Sequence, residues 1–518
     1  MTNSKALGIS LILGVFFLAG ALFVLTFGHL HEDAYILFQY SKKLALGEGI
    51  VFDEVSGPTE GATDFLWMTT LAFMHYLGLD LGSAAALLNS TGFIIISYVI
   101  LKLCEKFDWR AVGGLLLILF SGGVTAALGG FSTLAYGGFI MLFGYSVIQK
   151  RYKTLSVLSL VIPLFRPDGV LLVLGGVLTA FIGATKKERR ALLIHLAPVV
   201  LIGVGYFLWR YNYFDSLLPL PLQVKAKTDT LLDGLGSNFN VLKFYLLLFI
   251  PVMLLLFRNG IKGIKWFEYF AFGLGPFFLF VALSFAHQSQ NVGGRFQYPI
   301  VLALIAIFIL STRDLKSFPK IFIVIPLILS ILGLKNIGRE VNYLTNNDYI
   351  YSFPQILKEM RFNVSQIAIT EAGRFPFWYD TKEMIDLVGL NSGRVVRNGA
   401  TNVLDETMPE LIFVHHAGRF DTSMFDKESS YLITPVDSIK IKSEYLGNNP
   451  VYIAPESALN FAKRHNYSAV LVNVGQQDTK YHHVYFLSPT LDISVFTSGL
   501  EKSMSTNLTY FQSINLKI

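Results

Sequence analysis

LGISLILGVFFLAGALFVLTFG, residues 7–28, is almost wholly apolar. At ~1.5 Å per residue such a run crosses the ~30 Å hydrocarbon core of a bilayer as one helix. No small-residue cleavage site follows, because HLHEDAY (29–35) comes next. The run is therefore expected to be a retained first span rather than a removed signal peptide. Further candidate spans are 82–104, 111–129, 131–148, 154–165, 169–183, 191–208, 241–257, 266–285, 298–311 and 319–334. FLWMTTLAFMHYLGL (65–79), at 15 residues, suits a re-entrant or interfacial helix; the loop charges alternate if it does not span, and another segment is misassigned if it does.

Composition agrees. The 518 residues are 53% hydrophobic and 15% charged, with 44 Phe, against roughly 25% charged in an ordinary soluble domain. A purely soluble protein and a disordered one are both excluded. One Cys, Cys104, rules out a disulfide framework and any Cys-based zinc site. The net charge of +6 is no sign of nucleic-acid binding, because residues 336–518 carry 16 Lys and Arg against 19 Asp and Glu. The positive excess sits in short loops between apolar runs: Lys102, Lys106 and Arg110; Lys150, Arg151 and Lys153; Lys186, Lys187, Arg189 and Arg190; Arg258, Lys262 and Lys265; Arg313, Lys316 and Lys320. The positive-inside rule puts these and Lys5 in the cytoplasm. The expectation is a polytopic α-helical protein of the cytoplasmic membrane with about 11 spans. Residues 1–335 would be the membrane part, with an outer loop at 29–81. Residues 336–518 would form a soluble periplasmic or exterior domain. Strand-like runs there, SQIAIT (365–370), ELIFVHH (410–416) and SAVLVNV (468–474), point to an α/β or α+β fold.

The outside then receives every chemically unusual stretch. Residues 29–64 hold Glu32, Asp33, Glu48, Asp53, Glu54, Glu60 and Asp64 against Lys42 and Lys43. Asp33 opens a helical pattern (Tyr35, Ile36, Tyr40, Leu44) that ends at Gly47. An acidic pair at the membrane surface can serve as a general base, or it can simply cap the helix. Asp64, ahead of 65–79, has the same two readings, and Glu48, Asp53 and Glu54 read as a solvated loop. Arg166 and Asp168 form the tip of RPDG, either as a self-paired turn or as a functional charge beside the bilayer. Lys225, Lys227 and Arg295 are basic groups on the outer side, suited to a departing phosphate, to snorkelling, or to a loop ion pair. Gly293 and Gly294 ahead of Arg295 would let backbone approach a phosphate closely. His29, His31 and His287 form no metal signature, and GGFSTLAYGG (129–138) reads as close helix packing. No phosphate-binding or dinucleotide Gly-rich loop is present.

Six stretches in order resemble the GT-C class of membrane glycosyltransferases, and more narrowly the AftB-type arabinofuranosyltransferases. They are HEDAYILFQYSKKLALGEGIVFD (31–53), PTEGATDFLW (58–67), LFRPDGVLL (164–172), RYNYFDSLLPLPLQVKAK (210–227), GGRFQYPI (293–300) and AITEAGRFPFWYDTKEMIDLVGLNS (368–392). The resemblance covers roughly residues 8–400. The chain has Glu32–Asp33 where that family has two Asp, Asp168 for its Glu, Asp64 for its Asn, and Leu220 for the Asn of an LPN-like run. The resemblance implies an inverting transfer of a sugar, arabinofuranose first, from a polyprenyl-phosphate donor to a glycan or protein acceptor at the outer membrane face. It implies Asp33 as catalytic base with Glu32 as its partner or as a metal ligand. It implies Lys225, Lys227, Arg295 and Arg166 at the donor phosphate, and Glu60, Asp168 and His31 at substrate. Membrane lipid is the surrounding partner, and nucleic acid is not one. No protein metal ligands are assigned, and the sequence neither requires nor excludes a divalent metal. The rival readings are a polymerase or ligase using a lipid-diphosphate donor, and a lipid or glycan transporter.

Overall fold

The computed structural model describes residues 1–225, 231–259, 265–286, 288, 290–314, 321–346, 349–416, 420, 430–442, 450–473 and 482–505. The chain enters as α1 (Asn3–Phe27) and turns through α2 (Glu32–Ala45) and α3 (Phe65–Tyr76) before α4 (Leu81–Cys104). Then come α5 (Trp109–Leu119), α6 (Gly122–Leu128), α7 (Thr133–Ile148), α8 (Tyr152–Phe165), α9 (Gly169–Ile182) and α10 (Lys186–Phe214). After α11 (Leu220–Lys225) and α12 (Leu231–Leu242) follow α13 (Ile250–Asn259), α14 (Trp266–Leu283), α15 (Tyr298–Asp314) and α16 (Ile321–Leu344).

Among the described residues, five helices are long and apolar enough to cross a membrane: α1, α4, α10, α14 and α16. The number is seven if two bent pairs each make one span, α5 with α6 (41°) and α12 with Tyr245–Phe257 (72°). The remaining expected spans fall on α7, α8, α9 and α15, which are apolar but only 14 to 17 residues long. At 12 residues α3 is ~18 Å long, well short of the ~30 Å core. Burial orders the bundle. α4 is central, with 67% of its apolar window buried, whereas α10 lies on the perimeter with 6%. Close contact between α4 and α7 depends on Gly92, where a Cβ would stand 2.2 Å from the Leu134 carbonyl oxygen. One turn away Asn89 accepts the Leu134 and Ala135 N–H groups, which α7's first turn cannot pair internally.

The loops expected on one side do meet. Arg313 pairs with Glu105 at 3.5 Å and with Glu268, joining the ends of three helices. Lys150 pairs with Glu188 at 2.9 Å. Lys102 reaches Asn3 at 2.9 Å, so the N-terminus lies at that end too.

α16 runs unbroken through position 335/336. Beyond it lie α17 (Phe353–Glu359), β1 (Gln366–Ile369), α18 (Arg374–Trp378), β2 (Glu383–Asp386), α19 (Gly393–Asn398), α20 (Ala400–Thr407) and β3 (Leu411–His416). They are followed by β4 (Tyr431–Pro435), α21 (Pro450–Arg464), β5 (Ser468–Asn473), β6 (His482–Leu487) and α22 (Ile493–Ser505). The six strands form one mixed sheet in the order β2-β1-β3-β6-β5-β4, parallel across β2-β1-β3 and antiparallel after it. The period-2 alternation divides two cores. Ile367, Ile369, Phe413, Val470 and Tyr485 face one, while Ala368, Ile412, Leu471 and Phe486 face the other. The first core also takes in Tyr40, Phe52 and Met68 from the segment between α1 and α4, so the sheet packs directly on α2 and its neighbours.

Candidate active site

The site begins where α1 ends. His29 N–H donates to the Leu344 carbonyl at 2.8 Å and His31 N–H to the Gly129 carbonyl at 3.0 Å, which fixes the turn into α2. His31 is the N-cap residue and makes no side-chain cap bond, and Glu32 and Asp33 occupy the first turn. Acids there suit the positive helix end. Neither caps it, however, because each is taken by a distant arginine.

Asp33 Oδ2 accepts from Arg295 Nη2 at 3.1 Å. Among the described residues no donor reaches its other oxygen. Arg295 lies over Phe131, its guanidinium carbon 3.8 Å from the ring centroid and 5.2 Å from that of Phe296. Its Nη1 is buried and has no hydrogen-bond partner among the described residues. Gly293 (φ +60°) and Gly294 (φ +68°) take the left-handed conformations this turn needs. They are packed rather than open. A Cβ on Gly293 would meet the Gly122 carbonyl oxygen at 2.3 Å, and one on Gly294 would meet Val241 at 2.6 Å. The glycines therefore seat the turn on α6 and α12, and the expected open approach to a phosphate is not what they provide. Below them a buried amide network holds the loop. Gln297 Nε2 donates to Asn238 at 2.8 Å, Asn291 Nδ2 donates to Gln297 at 2.7 Å, and the Phe296 N–H donates to Asn291 at 3.1 Å.

Across Phe296 stands the RPDG tip. Arg166 makes a two-bond contact with Asp168, Nε to Oδ1 at 3.1 Å and Nη2 to Oδ2 at 2.8 Å, so the turn is self-paired. Its guanidinium lies 5.5 Å from Phe296 and 5.4 Å from Tyr136, whose hydroxyl donates to Asp168 at 3.3 Å. Asp64 makes no cap bond to α3 and instead accepts from Ser132 at 3.0 Å. Burial pushes the Asp64 carboxyl up, Asp168 adds to the rise, and Arg166 and Arg295 oppose it. Asp33, Arg295, Arg166, Asp168 and Asp64 thus form one cluster of charges set in aromatic rings. A pair of arginines on an aromatic wall suits an anionic phosphate, and the half-covered Asp33 suits a hydroxyl proton.

The other expected site residues lie elsewhere. Glu32 turns away to Arg374 in the C-terminal part (2.8 Å). His31 bonds Glu340 at 2.6 Å and stacks on Tyr343, so it serves the α2–α16 junction. Glu60 is buried against Arg210, with Nε to Oε1 at 2.7 Å, and Arg210 also holds the Ser216 and Leu217 carbonyls at 3.2 and 3.0 Å. Removing one member of a buried ion pair strands the other, at about 3–5 kcal/mol. Glu60→Ala is expected to lower the thermal midpoint of the purified protein clearly, read by melting in detergent. Lys225 ends α11, its side chain lies outside the described residues, and Lys227 and His287 lie outside them altogether. Asp53 is no solvated loop residue. It is buried and accepts from the Val55 and Ser56 N–H groups at 2.8 and 2.7 Å, closing a turn. Among the described residues no group of three or more His, Cys, Asp or Glu is placed to hold a metal ion. Sequence reasoning left out Phe131, Phe296, Tyr136 and Arg374. Phe131 lay inside the Gly-rich stretch that reads as packing, and Arg374 inside a motif with no charge singled out.

No family model matches the chain, and no curated protein matches it. Among solved structures, the crystal structure of ArnT from Cupriavidus metallidurans in the apo state superposes with a TM-score of 0.49 at 13% identity, covering 77% of this chain and 92% of that one. The residue geometry, not that likeness, carries the functional reading.

Proposed function

We propose that the chain is an inverting glycosyltransferase that takes a sugar from a polyprenyl-phosphate donor at the outer face of the cytoplasmic membrane. Arabinofuranose is the first candidate sugar, on the resemblance of the six motifs. The carrying observation is the Asp33–Arg295 contact, a half-covered carboxylate 3.1 Å from an arginine whose other terminal nitrogen has no partner among the described residues. Asp33 takes the proton of an acceptor hydroxyl. The acceptor oxygen attacks the anomeric carbon as its bond to the phosphate oxygen breaks on the opposite face. Arg295 and Arg166 hold the phosphate as it gains charge. In this reading residues 1–335 supply the donor site and residues 336–518 form the domain that packs over it, outside the membrane. A glycan or glycoprotein is the acceptor.

The test is a donor panel. The purified chain in lipid nanodiscs is given polyprenyl-monophosphate-arabinofuranose, other polyprenyl-monophosphate sugars, and lipid-diphosphate-linked glycans, and release of the lipid phosphate is followed. Turnover is expected with a monophosphate donor alone. Turnover of the diphosphate donors would make it a polymerase or ligase. Movement of intact labelled lipid across a vesicle membrane without cleavage would make it a transporter.

A further inference from the structure

α2 carries Asp33, and one short segment of the C-terminal domain grips α2 at both ends. At the N-terminal end both Glu32 oxygens are used. Oε1 accepts the Gly373 N–H at 2.5 Å, and Oε2 accepts the Arg374 N–H at 2.9 Å and Arg374 Nε at 2.8 Å. Gly373 sits so close that a Cβ there would stand 2.0 Å from the Glu32 carbonyl oxygen. At the other end Lys42 and Lys43 each reach Asp380 at 3.2 Å. Between the ends Tyr35 packs on Phe377 at 5.2 Å. Arg374 is itself held. It is buried, its guanidinium is 4.4 Å from the Tyr351 ring, and Tyr351 stacks on His29 at 3.4 Å.

Consecutive residues on a helix point about 100° apart. Glu32 and Asp33 accordingly reach different arginines, and fixing the rotation of the helix through one fixes the direction of the other. We infer that Glu32 and Arg374 are positioning residues: through them the C-terminal domain sets the rotation of α2 and so the aim of Asp33 at the transfer site. This rests on the glycosyltransferase reading above. Misplacing a reacting group by ~1 Å can cost about 10²-fold, so the clasp acts on turnover and leaves donor contacts alone.

Protonation reports on the same contact. The groups facing Glu32 are Arg374 and Glu371 from the C-terminal domain and Tyr35 on its own helix. Burial, with Glu371, pushes Glu32 up to about 7 against the pull of Arg374. Below about 7 the clasp loses its charge, and turnover falls with it. Stability runs the other way. The folded state holds this proton more tightly than the unfolded chain, so the contribution is present below the ordinary carboxyl range and is lost as pH rises through about 7.

The experiment uses the full chain in nanodiscs with polyprenyl-monophosphate-arabinofuranose, or the monophosphate donor found active in the panel. Polyprenyl phosphate release is measured for Glu32→Gln, Arg374→Gln, Arg374→Lys, the double variant and Asp33→Asn, from pH 5.5 to 8.5. Each single Gln variant is expected to lower kcat about 10-fold or more, with donor KM within about twofold. The double variant should be no worse than the worse single one, as expected for coupled partners. The fall in kcat below about pH 7 should vanish in Glu32→Gln, and Arg374→Lys should recover part of the loss. If Arg374→Gln fails to fold, Asp380→Asn loosens the other end of α2 and should lower kcat with KM unchanged. Wild-type kcat and an unchanged pH profile in Glu32→Gln and Arg374→Lys would overturn the clasp while an inactive Asp33→Asn leaves the transfer reading standing. An active Asp33→Asn would remove the transfer reading itself.

Discussion

Replacing Asp33 by Asn is expected to lower sugar transfer about 10²–10⁴-fold while donor binding holds or tightens, the range a positioned general base contributes. The sign of the binding change follows from the ion pair. Arg295 is 3.1 Å from Asp33, lies on Phe131, and has its other terminal nitrogen buried without a partner among the described residues. The Asn side chain keeps the shape and removes the negative charge, so Arg295 turns its full charge on the donor phosphate. A carboxylate serving only to neutralise Arg295 would give the opposite pattern: turnover kept and the fold weakened. Initial rates of polyprenyl phosphate release, paired with donor titration by intrinsic fluorescence, separate the two. Retained kcat with a lowered melting midpoint would remove Asp33 from the chemistry.

The local parts of this arrangement are legible in the sequence, and the long-range ones are not. The extent of α2 follows from Tyr35, Ile36, Tyr40 and Leu44, and the helix does end at Ala45, just before Gly47. β1, β3 and β5 show openly as short continuous apolar runs, because their strands are apolar on both faces. β2 hides because its four residues, EMID, begin and end with acids. Both acids are buried and satisfied, Glu383 by Gln366 and Arg394 at 2.8 Å each, and Asp386 by the loop N–H groups that follow it. The self-paired RPDG turn is a contact over two positions and can be read directly. The partner of Glu32 lies 341 positions downstream at Gly373, and that of Glu60 lies 150 downstream at Arg210. Neither pairing leaves a mark on local spacing. Two adjacent acids accordingly read as one catalytic pair, although the helix sends them to two different arginines.

Arg295 gives the second large effect. Arg295→Gln is expected to lower kcat about 10²–10³-fold, the loss seen when one preorganised donor to a developing anion is removed. Arg295→Lys should lie between Gln and wild type, because an ammonium keeps the charge but loses the planar fork and its stacking on Phe131 and Phe296. The loss should appear in product inhibition as well. Polyprenyl phosphate carries the charge that Arg295 would meet late in the reaction, so its inhibition constant should rise along the same series. The loop itself has support independent of the guanidinium, from the Asn238–Gln297–Asn291 amides and from the glycine contacts on α6. A fall in kcat with a raised product-inhibition constant, beyond whatever midpoint is lost by stranding Asp33, is therefore the expected signature of lost anion stabilisation. A matching drop in melting midpoint, with product inhibition untouched, would make Arg295 a counter-charge for Asp33 and shift phosphate binding to Arg166, whose own charge is already divided between Asp168 and the ring of Tyr136.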